Sequence, residues 1–447
     1  MKYFLVTFGC QMNTSDSEKI AEVFKNSGHQ SASNIKEADL VIVNMCSVRQ
    51  SAVDRVYGLL LKFQKLKIKN LKFKIILTGC ILKKDRKKFE KIFDYVLDIK
   101  NLSNWPRTLR THIRVYGYKN YLKIKPEYSK KFTAYVPIMT GCNNFCSYCV
   151  VPYTRGREIS RPSEEIICEV KKLIKKGIKE IWLLGQNVNS YKGLFKQTKP
   201  TPQKDDRFNC ESSSSFSQLL RKINEIPGKF WIRFTSSHPK DFSNDIIKAM
   251  KNCEKITPYL NLPVQAGDDK VLKSMNRPYT IAQYKKLLKK VRKEIPNICL
   301  STDVIVGFPG ETKKQFENTV KLFKEIKYDM AYINRYSPRS GTAGAKLIDN
   351  VPAKEKKARE NILNEILKKT ALENNKKYLN KIIEVLITNN SFGKTETNKT
   401  VKVITQNSKF KAQNHNLKLK TKNLIGCFIK IKITDALAWG LKGEYDK

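Results

Sequence analysis

Acidic residues and histidine are scarce in this 447-residue chain. Asp and Glu number 41 against 86 Lys and Arg, which leaves a formal net charge of +45. A surplus that large calls for a polyanion, a membrane surface or a biased composition. Histidine occurs four times, at His29, His112, His238 and His415. That is too scattered for a histidine-ligated zinc hydrolase. No apolar run approaches the roughly 20 residues of a membrane span. Residues 1–8 are too short for a signal peptide, and no small-residue cleavage site follows. No membrane and a cytoplasmic location are therefore expected. There the 11 cysteines should be thiols, metal ligands or catalytic groups, not disulfides. Residues 372–447 contain no arginine, so lysine point charges alone would meet an anionic partner in that region.

What is present points to a globular protein. Hydrophobic residues are 40% and aromatics 10%, which rules out wholesale disorder. The length suits two to four domains at roughly 100–200 residues each. Basic residues are spread almost evenly, which fits nucleic-acid binding and a lysine-rich composition equally well.

Alternating apolar and amphipathic stretches predict strands at 3–8, 39–43, 73–77 and 95–97. With helices at 16–26 and 51–66 between them, this is a doubly wound parallel α/β domain. Residues 116–131 read as a linker. Six further strands are expected, from Tyr135 onward and at 181–184, 230–234, 259–262, 300–306 and 330–333. They imply a full or partial barrel or a Rossmann-like sheet. Ser163 is the expected N-cap of a helix ending at Gly177. Residues 192–217 interrupt the pattern as a polar surface loop. A helical stretch over 354–377 leads to strands at 382–388, 401–405 and 428–433, a small β-barrel of a kind that can bind RNA.

Three cysteines stand close together in Gly141-Cys142-Asn143-Asn144-Phe145-Cys146-Ser147-Tyr148-Cys149. Thiolates suit both iron–sulfur clusters and zinc, but structural zinc usually takes four ligands. Three thiolates on a four-iron cube leave one iron open to chelate S-adenosylmethionine, which the cluster could cleave to a deoxyadenosyl radical. Zinc or ordinary buried thiols are the competing readings. Cys10, Cys46 and Cys80 each follow a predicted strand. In a parallel sheet all three would meet at the carboxyl edge, where ligands bind. They read either as ligands of a second three-thiolate cluster or as thiols tucked under the sheet. Cys168, Cys210, Cys253, Cys299 and Cys427 read as incidental.

Other strand ends supply candidates for the cofactor. Gly185, Gln186 and Asn187 could hold its methionyl end, and Gly307 could let adenine approach the backbone. Gln265 and Asp303 are similarly placed, and His238, after another strand end, is a candidate for the mouth of the site. Arg155 and Arg157 follow the cysteine loop and are candidates for phosphate or carboxylate recognition in the substrate.

These motifs resemble those of the radical S-adenosylmethionine methylthiotransferases. The matching stretches include Thr7-Phe8-Gly9-Cys10-Gln11-Met12-Asn13, Cys46-Ser47-Val48-Arg49, Gly79-Cys80, the Gly141 to Cys149 loop and Pro152 to Glu158. Leu184 to Tyr191, Arg233 to Pro239, Met275-Asn276-Arg277 and Ser301 to Thr312 continue the match. The resemblance spans nearly the whole chain, and among the family's branches it is nearest to the one acting on isopentenylated tRNA.

The resemblance implies three parts. They are a methylthiotransferase domain over 1–116, a radical domain over 128–358 shaped as a partial (β/α)6 barrel, and an RNA-binding TRAM barrel over 372–440. It implies two [4Fe-4S] clusters, the auxiliary one on Cys10, Cys46 and Cys80 and the radical-generating one on Cys142, Cys146 and Cys149. The implied reaction uses S-adenosylmethionine to insert a methylthio group at carbon-2 of N6-(dimethylallyl)adenosine at position 37, beside the anticodon of tRNA. An external flavodoxin- or ferredoxin-like electron donor and a monomeric state go with it. The alternatives are a methylthiotransferase for threonylcarbamoyl-adenosine or for a ribosomal-protein Asp, and a non-catalytic iron–sulfur RNA-binding protein. On this scheme, removal of the carboxy-terminal region should weaken tRNA binding and spare cofactor cleavage.

Overall fold

Burial on both faces decides the amino-terminal sheet. The structure is a computed structural model, and it describes residues 1–47, 50–69, 72–109, 121–194, 213–405 and 424–445. Strands β1 (Lys2–Phe8), β2 (Gln30–Ser31), β3 (Leu40–Cys46), β4 (Lys74–Cys80) and β5 (Tyr95–Val96) pair in parallel, in the order β2-β1-β3-β4-β5. Val41, Val43, Ile75 and Leu77 face the helix Gln50–Lys69. Ile42 and Ile76 pack on the opposite face with Ile20, Val23 and Phe24 of the helix Gln11–Asn26. Such strands read as near-continuous apolar runs rather than alternating ones. β3 and β4 run on to Cys46 and Cys80, three residues beyond the stretches expected from hydropathy. The polar Asn44 does not end β3, because its side-chain amide donates to Asn13 O at 2.8 Å and to Ser17 Oγ at 3.0 Å. Strand order reverses at β1, the switch point where open α/β sheets bind ligands.

The middle of the chain builds β6 (Thr133–Pro137), a ribbon of β7 (Met139–Thr140) and β8 (Ile159–Ser160), and β9 (Glu180–Leu184). It continues through a second ribbon of β10 (Lys192–Leu194) and β11 (Ser213–Ser215), then β12 (Trp231–Phe234), β13 (Tyr259–Asn261), β14 (Cys299–Val306) and β15 (Met330–Arg335). The parallel triplets β12-β9-β6 and β13-β14-β15 are joined by a bridge between Ile232 and Ile256. Helices follow each strand, and no pairing joins β6 to β15 among the described residues. The result is a partial (β/α)6 barrel. The helix Ser163–Lys175 has Pro162, not Ser163, as its N-cap. The Ser163 hydroxyl is engaged instead with Tyr191 OH at 3.2 Å. Of the interrupting loop, 192–194 and 213–215 pair as the second ribbon, and 195–212 lie outside the described residues, as do residues 116–120 of the expected linker.

One continuous helix, Ala353–Lys376, spans the boundary between the second and third parts. Beyond it β16 (Ile382–Asn389), β17 (Phe392–Thr395), β18 (Thr400–Thr405), β19 (Phe428–Leu437) and β20 (Gly440–Tyr445) close a barrel. Its core is Val385, Ile387, Val401, Ile431, Ile433 and Leu441. The turn between β17 and β18 meets the strand starts of the partial barrel. Arg233 of β12 donates to Thr395 O at 2.8 Å and Glu396 O at 2.6 Å, and Lys399 pairs with Asp329 at 2.7 Å. The carboxy-terminal barrel is thus part of the floor of the central one. No described helix is long and apolar enough to cross a membrane.

Candidate metal centres and cofactor pocket

The first thiol set lies where the sheet order reverses. Cys10 precedes the first turn of the helix Gln11–Asn26, and Cys46 and Cys80 are register partners at the ends of β3 and β4. Parallel neighbours sit ~4.8 Å apart, and the Cys46 thiol interacts with both other thiols. Gly79 has φ +106°, and a Cβ there would strike the Met45 carbonyl; only glycine brings Cys80 to this edge. Hydrogen bonding with Cys46 is the leading cause that lowers Cys10 to about 6 and also lowers Cys80, against the opposing effect of burial. Arg155 helps both thiols downward. Cys46, between two sulfurs that hold negative charge, is pushed up.

The second set lies on the loop after β7. Cys142 is buried, and Cys146 and Cys149 are partly so. The loop is fixed at several points. Cys142 N–H donates to Gly156 O at 3.1 Å and Ser147 N–H to Met275 O at 3.0 Å. Asn276 Nδ2 donates to Phe145 O at 2.9 Å and Lys240 Nζ to Asn144 Oδ1 at 2.8 Å. Phe145 takes a left-handed φ of +49°. Arg277 Nη1 lies 3.5 Å from Cys146 Sγ. Burial raises Cys142 and pushes Cys149 up to about 12.

Among the described residues no three His, Cys, Asp or Glu side chains converge as they would on a single metal ion. Two sets of three thiols, each with one guanidinium N–H on a sulfur, instead suit iron–sulfur clusters, whose irons take thiolates at separate corners.

Beside the second loop, the loops after β9 and β12 hold buried polar atoms with no hydrogen-bond partner: Gln186 Oε1, Asn187 Oδ1, Asn189 Nδ2, Ser237 Oγ and His238 Nε2. For Asn187, Asn189 and His238 the orientation is set by the other end of the group. Asn187 Nδ2 donates to Asp241 at 2.7 Å, Asn189 Oδ1 accepts from His238 N–H at 2.9 Å, and His238 Nδ1 accepts from Lys240 N–H at 3.2 Å. His238 therefore carries its proton on Nε2, and burial, aided by Arg277 and Lys240, lowers it to about 2, keeping the ring neutral. Buried polar groups are rarely left orphaned. A cluster of both donors and acceptors points to a small zwitterionic ligand. Asn189 and Ser237 were not candidates from sequence; only their position after a strand end hinted at them.

The remaining candidates divide. Gln265 takes φ +72° and its N–H donates to Asp303 O at 2.9 Å, and Asp303 accepts from Asn261 Nδ2 at 3.1 Å, so both lie on the β13–β14 edge. Gly185 packs against Met139, and a Cβ there would collide with it. Gly307 has φ +67° and faces Lys356, and its N–H donates to Glu311 at 2.6 Å, so packing on the helix Ala353–Lys376 accounts for that glycine. Arg157 is exposed, over the Phe145 ring at 4.3 Å. Arg155, expected at the substrate, is buried elsewhere. Its Nε lies 3.1 Å from Cys80 Sγ and its Nη2 2.6 Å from Asp16. Cys253 and Cys299 are buried and Cys168 and Cys427 exposed, apart from either set; Cys210 lies outside the described residues.

Two family models match separate stretches of the chain. Residues 136–323 match the model of the radical SAM superfamily, and residues 2–99 that of the uncharacterized protein family UPF0004. The tRNA-2-methylthio-N(6)-dimethylallyladenosine synthase of Clostridium botulinum is 40% identical, over 99% of this chain and 96% of its own length. The proteins of that name from Clostridium tetani and Acetivibrio thermocellus are each 39% identical, over 99% of this chain and 96% and 90% of their own lengths. Among solved structures, the radical S-adenosylmethionine methyltransferase TsrM from Kitasatospora setae superposes with a TM-score of 0.53. Identity is 12%, and 77% of each chain is covered, a likeness of fold.

Proposed function

The chain belongs to the tRNA-2-methylthio-N(6)-dimethylallyladenosine synthase family, and we propose from its two thiol sets how its residues divide that family's work. It is a radical S-adenosylmethionine enzyme that inserts a methylthio group at carbon-2 of N6-(dimethylallyl)adenosine, next to the anticodon of tRNA. It uses S-adenosylmethionine and a [4Fe-4S] cluster.

In this reading Cys142, Cys146 and Cys149 hold that cluster. Bound there, the cluster supplies the electron that cleaves S-adenosylmethionine to a deoxyadenosyl radical. Gln186 and Asn187 offer acceptors to the cofactor's ammonium, while Asn189 and His238 offer donors to its carboxylate; Gln265 and Asp303 lie further along the same rim. Cys10, Cys46 and Cys80 hold a second, auxiliary [4Fe-4S] cluster at which sulfur is prepared for transfer. The carboxy-terminal barrel and Arg157 offer charge to tRNA phosphates. A flavodoxin- or ferredoxin-like donor, a monomeric state and a cytoplasmic location complete the proposal. The observation that carries it is the pair of three-thiol sets on neighbouring domains, with Arg155 of one domain bonded to Cys80 of the other.

The test is mass spectrometry of tRNA nucleosides after reconstituted protein meets isopentenylated tRNA and S-adenosylmethionine. Ala at Cys142, Cys146 and Cys149 together should leave one cluster and abolish deoxyadenosine formation. Ala at Cys10, Cys46 and Cys80 should preserve some cofactor cleavage and abolish the methylthio product. Methylthiolated adenosine from the second variant would refute the division.

A further inference from the structure

Resting on the reading of Cys10, Cys46 and Cys80 as cluster ligands, we propose that Arg155 is a positioning residue that tunes the auxiliary centre from the neighbouring domain. Its Nε–H donates to Cys80 Sγ and raises the reduction potential of a cluster held there, while Asp16 offsets its charge.

Arg155 stands six residues after Cys149, at the end of the short helix Val151–Thr154, whose Val151 carbonyl accepts its N–H at 2.8 Å. The segment that carries the second thiol set therefore also carries this guanidinium. From there it crosses to the amino-terminal domain, with Nε 3.1 Å from Cys80 Sγ and Nη2 2.6 Å from Asp16 Oδ2. Neither side chain is open to water, at 4% and 0% exposure. The other Asp16 oxygen accepts from Tyr121 OH, so the carboxylate has no freedom to swing away. A guanidinium is a fixed fork, and one locked between a carboxylate and a sulfur holds its N–H on that sulfur.

Hydrogen bonds to ligand sulfurs and net charge near the cluster are the levers a protein has on a cluster's potential. An N–H on sulfur favours the reduced, more negative state. The second thiol set has a different balance. Arg277 approaches Cys146 at 3.5 Å, but its other partners are Tyr279 OH and Pro263 O, both neutral. The auxiliary set is thus given a hydrogen bond with its charge offset, and the other set a nearly bare cation. Two substitutions that both leave the pair's space filled should then act in opposite directions. Arg155→Lys keeps a cation for Asp16 but its single ammonium cannot bridge both partners. Asp16→Asn keeps an acceptor for Tyr121 and leaves the guanidinium charge uncompensated beside Cys80.

The experiment uses the full chain with Cys142, Cys146 and Cys149 changed to Ala, reconstituted so that one cluster reports, with iron content and an EPR-monitored redox titration as readouts. In that background Arg155→Lys should retain iron and become harder to reduce, by about tenfold in the reduction equilibrium, which is 59 mV for a one-electron couple. Asp16→Asn should become easier to reduce. Unmoved potentials, or shifts in the same direction, would overturn the proposal. Loss of iron from both variants would reduce Arg155 to a structural brace and overturn it too. A parent protein that binds no iron would overturn the ligand assignment itself, and this proposal with it.

Discussion

Arg233→Met tests whether the carboxy-terminal barrel is a floor or an appendage. Arg233 is fully buried on β12 and spends its donors on Glu180 Oε1 at 2.6 Å, Thr257 Oγ1 at 3.0 Å, and the carbonyls of Thr395 and Glu396. Its guanidinium lies over the Trp231 and Trp182 rings at 4.9 and 5.6 Å. Methionine has similar reach and no donor. The substitution leaves Glu180 buried, with Thr133 Oγ1 at 3.0 Å as its remaining side-chain donor. Removing one partner of a buried ion pair costs roughly 3–5 kcal/mol. At about 2–4 °C per kcal/mol for a domain of this size, the radical domain should melt roughly 6–20 °C lower. Replacing both partners, Arg233→Met with Glu180→Gln, removes the stranded charge and should recover part of the loss. Tryptophan fluorescence of the full chain during heating reads both variants, since Trp182 and Trp231 flank the site. A single variant melting within about 2 °C of the parent, against the ~3–5 kcal/mol expected, would refute the reasoning. So would a double variant no more stable than the single one.

The same contacts reverse the sequence-based expectation for truncation. Removal of the chain after Lys368 takes away Thr395, Glu396 and Lys399, so deoxyadenosine formation should fall along with tRNA binding; cleavage equal to the full chain's would show that the floor is dispensable. Burial lowers the Lys19 ammonium to about 7 from its ordinary 10.5. The unfolded chain thus holds the extra proton between those values, and the destabilisation is full below pH 7 and fades as pH rises towards 10.5. Lys19→Met should therefore raise the melting temperature more at pH 6 than at pH 9.5, and equal effects at the two would reject the shift. His238→Phe removes the unpartnered Nε2–H and should raise the KM for S-adenosylmethionine about tenfold, the equivalent of ~1.4 kcal/mol for one buried donor. Iron content should stay unchanged, and an unaltered KM would take His238 out of the pocket. On the proposal that the lysines of the carboxy-terminal barrel, which has no arginine, supply the RNA contact, tRNA affinity should fall linearly in log–log plots against salt. A slope near zero would place the RNA contact elsewhere.

How much could be read in advance follows from the range of the interactions. The parallel sheet was legible because Val41, Val43, Ile75 and Leu77 announce strands by themselves. The thiol sets were legible because cysteine is chemically distinctive, and one set is local while the other ends consecutive sheet strands. Arg155 and Arg157 show where such reading stops. They lie two residues apart in one basic segment, yet one is buried against Cys80 and the other is exposed. Nothing local tells them apart, since the discriminating partners, Asp16 and Cys80, are 139 and 75 residues away. Strands β17 and β20 were missed for a related reason. Gly393, Gly440 and Gly443 weaken the strand signal, but a Cβ at Gly393 would meet Val385, and one at Gly443 would meet Ile431. Closure of a narrow barrel demands the residue that disguises its strands. Arg233 is the extreme case, a charge inside an apolar strand whose carbonyl partners lie 162 and 163 residues onward. Four residues past β12's end, His238 holds its buried Nε2 without a partner. Thus the contact least visible in the sequence braces the strand that leads into the proposed cofactor site.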